Sequence, residues 1–211
     1  TGGQGGNTAM QDGYYLGWKL AYVLRGLAGP ELLQTYDCER RPYAEIVCTW
    51  QAANLAERRD MKSLATLTGG PIDHARMMFG YVCLNGAVVR CADDAIPDAS
   101  DPFEDPANPT GVPGARVPFA TLRTDAGDHN TRQNLAQLFQ LYTTDAHLAS
   151  ESEAIARERG IPYKAIVVAS TAPLKTLDGA AALVRPDGMV AWRGTRATDL
   201  SRAFGQILSR A

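Results

Sequence analysis

The sequence predicts a mixed α/β protein in which a mostly helical first part is followed by a second part of alternating strands and helices. Three observations support this prediction. Apolar residues recur at helical spacing in the first part, apolar runs of strand length recur in the second, and six of the chain's 12 prolines fall between them, in residues 92–118. We therefore predict a first domain over residues 1–95, a linker over 96–118 and a second domain over 119–211.

The composition is that of an ordinary globular protein. The chain has 211 residues, of which 45% are hydrophobic and 21% charged, and this excludes disorder and a collagen-like repeat. With 21 basic residues against 23 acidic ones, it lacks the basic excess that would bind nucleic acid or a membrane surface. Four cysteines without a CxxC pair indicate reduced thiols in the cytoplasm. No apolar stretch approaches the roughly 20 residues that span a bilayer.

A glycine-rich opening leads into the first predicted helix. Four of the first six residues are glycine, and Thr8 followed by Gln11 has the spacing of a capping box. We therefore expect the helix to begin at about Thr8 and to stop at Gly26. Small and apolar residues recur along it at three- and four-residue steps, and we expect this stripe to be buried, with its glycines admitting another backbone. The stripe consists of Gly13, Leu16, Gly17, Leu20, Ala21 and Leu24.

A second helix is predicted after Gly29, with Pro30 in its first turn. Its expected buried side consists of Leu32, Leu33, Tyr36, Tyr43, Ala44 and Val47. Pro42 lies inside this pattern and predicts a kink or a break near residues 39–41, after which the helix resumes to about Met61. A short helix around residues 72–78 and a strand over 81–89 complete the first part.

The second part predicts two strands joined by a helix, then a hairpin and a closing helix. Residues 136–142 and 165–169 read as strands, and the helix between them, 149–159, ends at Gly160. Asp187-Gly188 between two apolar runs predicts a β-hairpin over 180–193, and a helix over 197–209 follows. This order is that of a thioredoxin-like domain. It would lack the redox dithiol, because no cysteine follows Cys91.

The sharpest candidate site is the glycine-rich helix start, residues 2–8. Free amides at a helix start carry partial positive charge, and glycines let an anion or a polarised carbonyl come close to the backbone. The pattern is not a dinucleotide fingerprint, because Thr8 stands where the third glycine belongs. A frayed end or a cloning remnant is the alternative interpretation of these glycines.

Other chemical signatures are weak. The three histidines, His74, His129 and His147, are far apart and are not spaced with cysteines or carboxylates as metal ligands would be, so no metal site is predicted. The chain contains neither a GxSxG elbow nor a GxxxxGK loop. The usual signatures of a serine hydrolase and of a P-loop phosphotransferase are therefore absent from this sequence.

The remaining conspicuous residues are expected to be structural. Asp12 and Lys19 on the first helix are interpreted as solvated or capping residues. The charged run 39–41, Glu-Arg-Arg, is interpreted as a partly buried ion-pair segment. Tyr142 and Trp192 are expected to be core aromatics of the second domain.

Several runs of residues together resemble one enzyme family. Residues 1–12, TGGQGGNTAMQD, and 16–21, LGWKLA, resemble the segment after the second flavin-binding motif of class A FAD-dependent aromatic hydroxylases, the para-hydroxybenzoate hydroxylase family. Residues 36–42, YDCERRP, are similar to the YxxERRP run that follows in that family. Residues 113–118, PGARVP, and 179–193, GAAALVRPDGMVAWR, resemble the C-terminal domain of the large hydroxylases, such as phenol hydroxylase and the tailoring oxygenases of aromatic polyketides. That domain is thioredoxin-like and lacks the dithiol.

The resemblance implies a flavin monooxygenase that hydroxylates a small aromatic substrate, phenolic or polyketide-type, with FAD, NAD(P)H and O2. In this family the amides at the start of the first helix face the pyrimidine edge of the flavin ring, where the reduced flavin carries negative charge. The cofactor-binding residues implied here are Gly5, Gly6, Asn7 and Thr8, with Gly3 and Gln4 lining the approach. No residue of this chain is assigned as catalytic, because the cofactor performs the oxygen chemistry.

The sequence also departs from the family pattern. The family's GxGxxG near its N-terminus, its middle DG motif and the Gly-Asp pair that would stand just before Thr1 are missing, so we expect the chain to be the C-terminal part of a larger enzyme and the N-terminal part to be its partner. The helix start contributes on the order of 1 kcal/mol, whereas a millimolar complex needs about 4 kcal/mol. We therefore expect the isolated chain to be colourless and inactive.

Two alternatives stay open at this point. One is a non-catalytic module in which the thioredoxin-like half mediates dimerisation or binds a partner. The other is a flavoprotein of the same fold that protects or selects unstable intermediates. A homodimer is compatible with each of these interpretations.

Overall fold

The computed structural model describes residues 4–58, 73–176 and 180–210. The helices are α1 (Gln4–Leu24), α2 (Leu32–Arg58), α3 (His74–Phe79), α4 (Ala146–Glu158) and α5 (Ala197–Ile207), with a short 3₁₀ turn at Ala172–Leu174. The strands are β1 (Thr121–Thr124), β2 (Gly127–Asn130), β3 (Phe139–Thr143), β4 (Tyr163–Val167), β5 (Ala181–Val184) and β6 (Val190–Gly194). The mixed α/β class predicted from the sequence is confirmed.

Helix α1 begins four residues before the predicted start. Its first described residue is Gln4, and the Thr8 hydroxyl donates a 3.0 Å hydrogen bond back to the Gln4 carbonyl. Thr8 therefore lies inside the helix, and its prediction as the N-cap was wrong because Gly5 and Gly6 before it take up helical conformation. The predicted stop is confirmed. Gly26 has a φ of +70°, and the Leu27 amide donates to the Tyr22 carbonyl across the helix end.

The buried side of α1 is aromatic rather than small. Tyr15, Trp18, Lys19 and Tyr22 are its buried residues. The stripe that was predicted to be buried is largely exposed: Leu20 and Leu24 expose 39% and 84% of their surface, and Gly13 and Gly17 are also exposed. A methyl group on either glycine would meet no other part of the described chain within 4 Å. The prediction of close backbone approach there was wrong, because the aromatic residues bury more apolar area against the sheet.

Helix α2 runs through Pro42 without the predicted break. Proline removes one amide donor, and the buried residues on either side, Glu39, Arg40 and Tyr43, have partners that hold the helix in place. Pro30 lies in a turn that precedes the helix by two residues. The predicted end at Met61 lies outside the described residues.

Residues 81–89 do not form the predicted strand. Tyr81 makes one isolated bridge with Phe103. Beyond it, amides of this segment bond to carbonyls of three separate segments, at Pro102, Gly114 and Ala191. The apolar run therefore connects different parts of the molecule instead of pairing along a single neighbour, and that is why strand periodicity misidentified it.

The second part contains a four-stranded sheet in the order β4-β3-β5-β6. Strand β4 is parallel to β3, whereas β5 is antiparallel to both β3 and β6. The predicted parallel pair, the hairpin and the closing helix are confirmed. Strand β3 starts at Phe139, three residues later than predicted, because Ala136 has a φ of +67° in the preceding turn. The short hairpin β1-β2 was missed, since its strands are mostly polar and exposed.

One hydrophobic core joins the helices of the first part to the sheet. Trp18 and Tyr22 of α1 pack with Phe139 of β3, with ring centroids 5.5 to 5.7 Å apart in edge-to-face geometry. Leu32 of α2 and Trp192 of β6 belong to the same cluster. Helix α1 is therefore fixed against the sheet by its aromatic residues. The division into domains at residues 96–118 stays a prediction.

Candidate functional site

In the described chain α1 opens with a first turn, the position at which helix geometry leaves backbone amides without an acceptor in the helix. Gln4, Gly5 and Gly6 lie in its first turn, where amides have no carbonyl acceptor within the helix. No acidic residue lies in that turn, so an approaching anion meets no negative side chain there. Gly3, which was also predicted to line the approach, lies outside the described residues.

Asn7 and Thr8 follow this open turn. The Asn7 side-chain amide donates to Gln4 Oε1 at 3.3 Å, and the Thr8 hydroxyl bonds to the Gln4 carbonyl. Because the helix starts at Gln4, the free amides are those of the first turn, and Asn7 and Thr8 contribute side chains to its rim. Their contact with a cofactor stays a prediction.

The two glycines of the first turn leave the backbone accessible. Gly5 and Gly6 are exposed, and a methyl group on either one would meet no other part of the described chain within 4 Å. Glycine in a helix costs about 1 kcal/mol relative to alanine. Packing within the described chain does not account for that cost. Helix-start amides, a first turn without acidic residues and no side chain in the way fit a negatively charged, planar group such as the pyrimidine edge of a flavin.

An apolar cleft of about 420 Å³ lies beside the helix start, between α1 and α2. Its lining is mainly small and apolar, with Gly5, Thr8, Ala9, Ala44, Val47 and Cys48, and it also includes Gln4, Asp12 and Gln51. The open amides therefore border a surface that can cover a hydrophobic ring system.

Arg40 of α2 holds the first half of α1. Its Nε donates to Asp12 Oδ1 at 2.7 Å, and its guanidinium lies over the rings of Tyr43 and Tyr15, 4.4 and 4.9 Å from their centroids. Asp12, expected to be solvated or to cap the helix, is instead paired with a buried cation. This contact fixes the orientation of α1 about two turns from its start.

A network of four buried charges lies further along α1. Lys19, Glu39, Arg185 and Asp187 are each at most 1% exposed. Lys19 Nζ lies 2.9 Å from Glu39 Oε1, and Arg185 Nη1 and Nη2 each lie 2.8 Å from a Glu39 oxygen. Arg185 also binds Asp187, with Nη2 2.5 Å from Oδ2 and Nε 3.0 Å from Oδ1. We call these four residues the buried charge network; its two cations and two anions balance.

The pKa values within the network reflect this pairing. Burial raises the pKa of Glu39, but Arg185 and Lys19 outweigh it and lower the pKa to about 2. Burial and the charge of Arg185 lower the pKa of Lys19, against the opposing effect of Glu39. Burial also lowers the pKa of Arg185, yet Asp187 and Glu39 raise it well above its ordinary value. Glu39 is therefore ionised at neutral pH and anchors both cations.

Several neutral groups also bond to the network, among them the Thr35 hydroxyl, which accepts from Lys19 Nζ at 2.5 Å. The Trp18 indole Nε1 donates to Asp187 Oδ2 at 2.7 Å, and the Ala87 amide donates to Glu39 Oε1 at 2.8 Å. The predicted ion-pair role of residues 39–41 is confirmed for Glu39 and Arg40. The network as a whole was missed, because Lys19 was interpreted as a solvated or capping residue and Asp187 only as a turn residue. The signal that was available is Arg185, a charged residue inside the apolar run 180–185.

The other candidate features do not form a site in the described chain. His74 and His147 are exposed, and His129 Nε2 lies 3.4 Å from the Tyr142 hydroxyl. Among the described residues, no group of three or more His, Cys, Asp or Glu side chains could hold a metal ion. None of the helices within residues 4–58, 73–176 and 180–210 combines the length and apolar character needed to cross a membrane.

Comparison with known proteins finds matches for both parts of the chain. A family model described as an FAD binding domain matches residues 1–51, and one described as the C-terminal region of aromatic-ring hydroxylases matches residues 110–211. In a solved ternary complex of aklavinone-11 hydroxylase with FAD and aklavinone, 41% of the hydroxylase chain matches all of this chain, with a TM-score of 0.83 and 30% identity. The fold of this chain is therefore similar to that of the matching part of this flavin-binding hydroxylase.

Both matched regions are therefore similar to FAD-dependent aromatic-ring hydroxylases. The 4-methyl-5-nitrocatechol 5-monooxygenase of a Burkholderia species is 35% identical, over 91% of this chain and 37% of the relative. Aklavinone 12-hydroxylase RdmE of Streptomyces purpurascens is 33% identical, over 100% of this chain and 40% of the relative. The chain therefore spans about two-fifths of the length of the curated relatives it matches.

Proposed function

We propose that this chain supplies the flavin-facing helix and the C-terminal domain of a larger hydroxylase that oxidises an aromatic substrate with FAD, NAD(P)H and O2. The observation that carries this proposal is the start of α1. Gly5 and Gly6 lower helix stability, serve no packing purpose in the described chain, and leave the amides of the first turn open. A backbone that must come close to a planar anionic group accounts for these properties together.

The residues that would hold the flavin ring are those of the first turn and its rim. The amides of Gln4, Gly5 and Gly6 would face the pyrimidine edge, with Gly3 before them and the side chains of Asn7 and Thr8 beside them. When bound, FAD supplies the activation of O2. The protein's part is to aim fixed donors at the place where negative charge develops, and rigid donors do this without reorganisation.

The substrate class follows from the relatives. Two of the proteins named above are an aklavinone hydroxylase and a nitrocatechol monooxygenase. From the names of these relatives we propose that the substrate is a small aromatic compound, phenolic or polyketide-type. We further propose that the protein works in the cytoplasm without a nucleic-acid or membrane partner, in line with its net charge of −2. A homodimer is the assembly to test by measuring mass in solution.

The test is to express the full-length protein that carries this chain and to supply FAD, NAD(P)H and a panel of phenols and aromatic polyketides. We expect substrate-stimulated NAD(P)H oxidation and a product heavier by one oxygen atom, detected by mass spectrometry. A flavin-loaded protein that oxidises NAD(P)H but hydroxylates none of the panel would restrict the proposal to flavin binding. A protein that does not take up flavin would favour the non-catalytic interaction module.

A further inference from the structure

We propose that the turn between β5 and β6 positions α1, so that Arg185 and Asp187 are positioning residues for the flavin site at the start of that helix. This inference rests on the proposed function and adds to it a role for the C-terminal domain. The turn does not reach the helix start itself. It acts through Trp18 and Lys19, which lie on the same helix as Gly5.

The first step of the argument is that the turn and α1 are joined directly. Trp18 Nε1 donates to Asp187 Oδ2, and Arg185 holds Glu39, which in turn holds Lys19. All the charged members of this chain of contacts are buried. A buried hydrogen-bonded network is satisfied in few arrangements, so displacing the turn by even a small distance leaves a donor or a charge without a partner.

The second step is that other residues of the C-terminal region contact α1 one turn before and one turn after Trp18. One turn before Trp18, the Tyr15 hydroxyl accepts a 2.8 Å hydrogen bond from Arg116 and lies 3.7 Å from the sulfur of Met189. One turn after it, Tyr22 packs against Phe139 of the sheet. Three successive turns of α1 are therefore held by residues 110–211, the region that matches the hydroxylase C-terminal domain.

The third step is that α1 needs such support. The helix contains four glycines, Gly5, Gly6, Gly13 and Gly17, and each lowers its intrinsic stability. Gly5 lies about 20 Å along the axis from Trp18, at about 1.5 Å per residue. A helix of this composition keeps its first turn in a fixed place only if its second half is fixed. The turn therefore acts together with the Arg40–Asp12 contact, and the two fix the direction in which the amides of the first turn point.

A purely structural role is the competing explanation, and the experiment separates the two. The variants are Trp18→Phe, which removes the bond to Asp187, and Asp187→Asn, which keeps the size of the side chain but removes its charge. The matched control is Trp192→Phe, the same substitution at an equally buried tryptophan of the same core. All three are made in the full-length protein, and thermal stability is measured for each.

The readouts are the FAD dissociation constant, amide hydrogen exchange of α1 in the apoprotein, and the fraction of NAD(P)H oxidation that yields product. For Trp18→Phe and Asp187→Asn we expect the FAD dissociation constant to rise about threefold or more. In free energy, a threefold rise is smaller than the contribution of one hydrogen bond to a charged group. We also expect faster exchange at residues 8–15 and a smaller productive fraction. Trp192→Phe should lose thermal stability without these changes.

The outcomes decide between the explanations. Equal FAD affinity, exchange and productive fraction in the two variants and in the control would overturn the inference while leaving the proposed function intact. If one variant fails to fold, the other is judged by the same three readouts. If wild-type full-length protein binds no flavin, the proposed function and this inference both fall.

Discussion

The indole Nε1 of Trp18 lies 2.7 Å from Oδ2 of Asp187, a residue that follows it by 169 positions in the chain. This hydrogen bond joins the helix that opens on Gly5 and Gly6 to the turn of the β5-β6 hairpin. Asp187 also binds Arg185, and Arg185 binds Glu39 of α2. One set of buried hydrogen bonds and ion pairs therefore joins the helix that we assign to the flavin, α1, to α2 and to the β5-β6 turn.

Replacing Glu39 by glutamine will strongly destabilise the protein. Glu39 is the anion between Lys19 and Arg185, both fully buried, and its loss leaves a buried positive charge without compensation. We expect the free energy of unfolding to fall by about 3–5 kcal/mol, measured by denaturant titration. The control is Asp37→Asn, which breaks an exposed pair with Arg41 and is expected to cost less than about 1 kcal/mol. Similar losses in both variants would contradict the assigned importance of the network.

Glu39 also predicts how stability depends on pH. Burial alone would favour its neutral form, but Arg185 and Lys19 hold its pKa at about 2, below the ordinary value of 4.5. The folded state thus binds the proton less readily than the unfolded state. The stabilisation from Glu39 is therefore complete above pH 4.5 and is lost as the pH falls towards 2. Unfolding measured across this window should show a steeper loss for the wild type than for Glu39→Gln, and parallel curves would argue against it.

A bulky residue at Gly6 will weaken the flavin site without harming the fold. No other part of the described chain lies within 4 Å of a methyl group at this position, and leucine favours helix more than glycine. We expect Gly6→Leu to leave the melting temperature of the 211-residue chain unchanged or higher. In the full-length protein the same change should raise the FAD dissociation constant and reduce hydroxylation. A full-length Leu variant that binds FAD and forms product like the wild type would show that the contact is misplaced.

Two glycine-to-alanine changes should have opposite effects on stability. Gly188 has a φ of +83°, where a side chain is strained, so Gly188→Ala is expected to cost about 1 kcal/mol. Gly5 lies in helical backbone with open space around it, so Gly5→Ala is expected to stabilise the chain by up to about 1 kcal/mol. Both are measured by denaturant titration of the same preparation of chain. Destabilisation by Gly5→Ala would mean that the first turn of α1 is not helical in solution.

Local sequence signals predicted the second part of the chain well. Asp187-Gly188 between apolar runs specified the hairpin, and Gly160 marked the end of α4 with a φ of +68°. Such signals depend on residues close together in sequence, and nothing distant overrides them here. The opposite holds for residues 81–89, where an apolar run is shared among three distant segments and forms no strand.

Long-range pairing explains what the sequence did not reveal at the site. Lys19 and Arg185 carry charges that are normally solvated, and the partner that buries Arg185 is 146 residues away. The stripe containing Leu20 and Leu24 has ideal helical spacing, yet the aromatic side of α1 faces the sheet instead. Periodicity identifies an amphipathic helix. It cannot show which of two apolar faces is buried, because that depends on the surface that packs against the helix.

The most direct test of the central claim is the visible absorption spectrum of two purified proteins incubated with FAD and then freed of unbound cofactor. One is the full-length protein and the other is the 211-residue chain. We predict stoichiometric flavin in the full-length protein and none in the chain, because the helix start alone contributes on the order of 1 kcal/mol. A full-length protein that retains no flavin would contradict the assignment of α1 to a flavin site. Stoichiometric flavin on the isolated chain would contradict the claim that its helix start is only one part of that site.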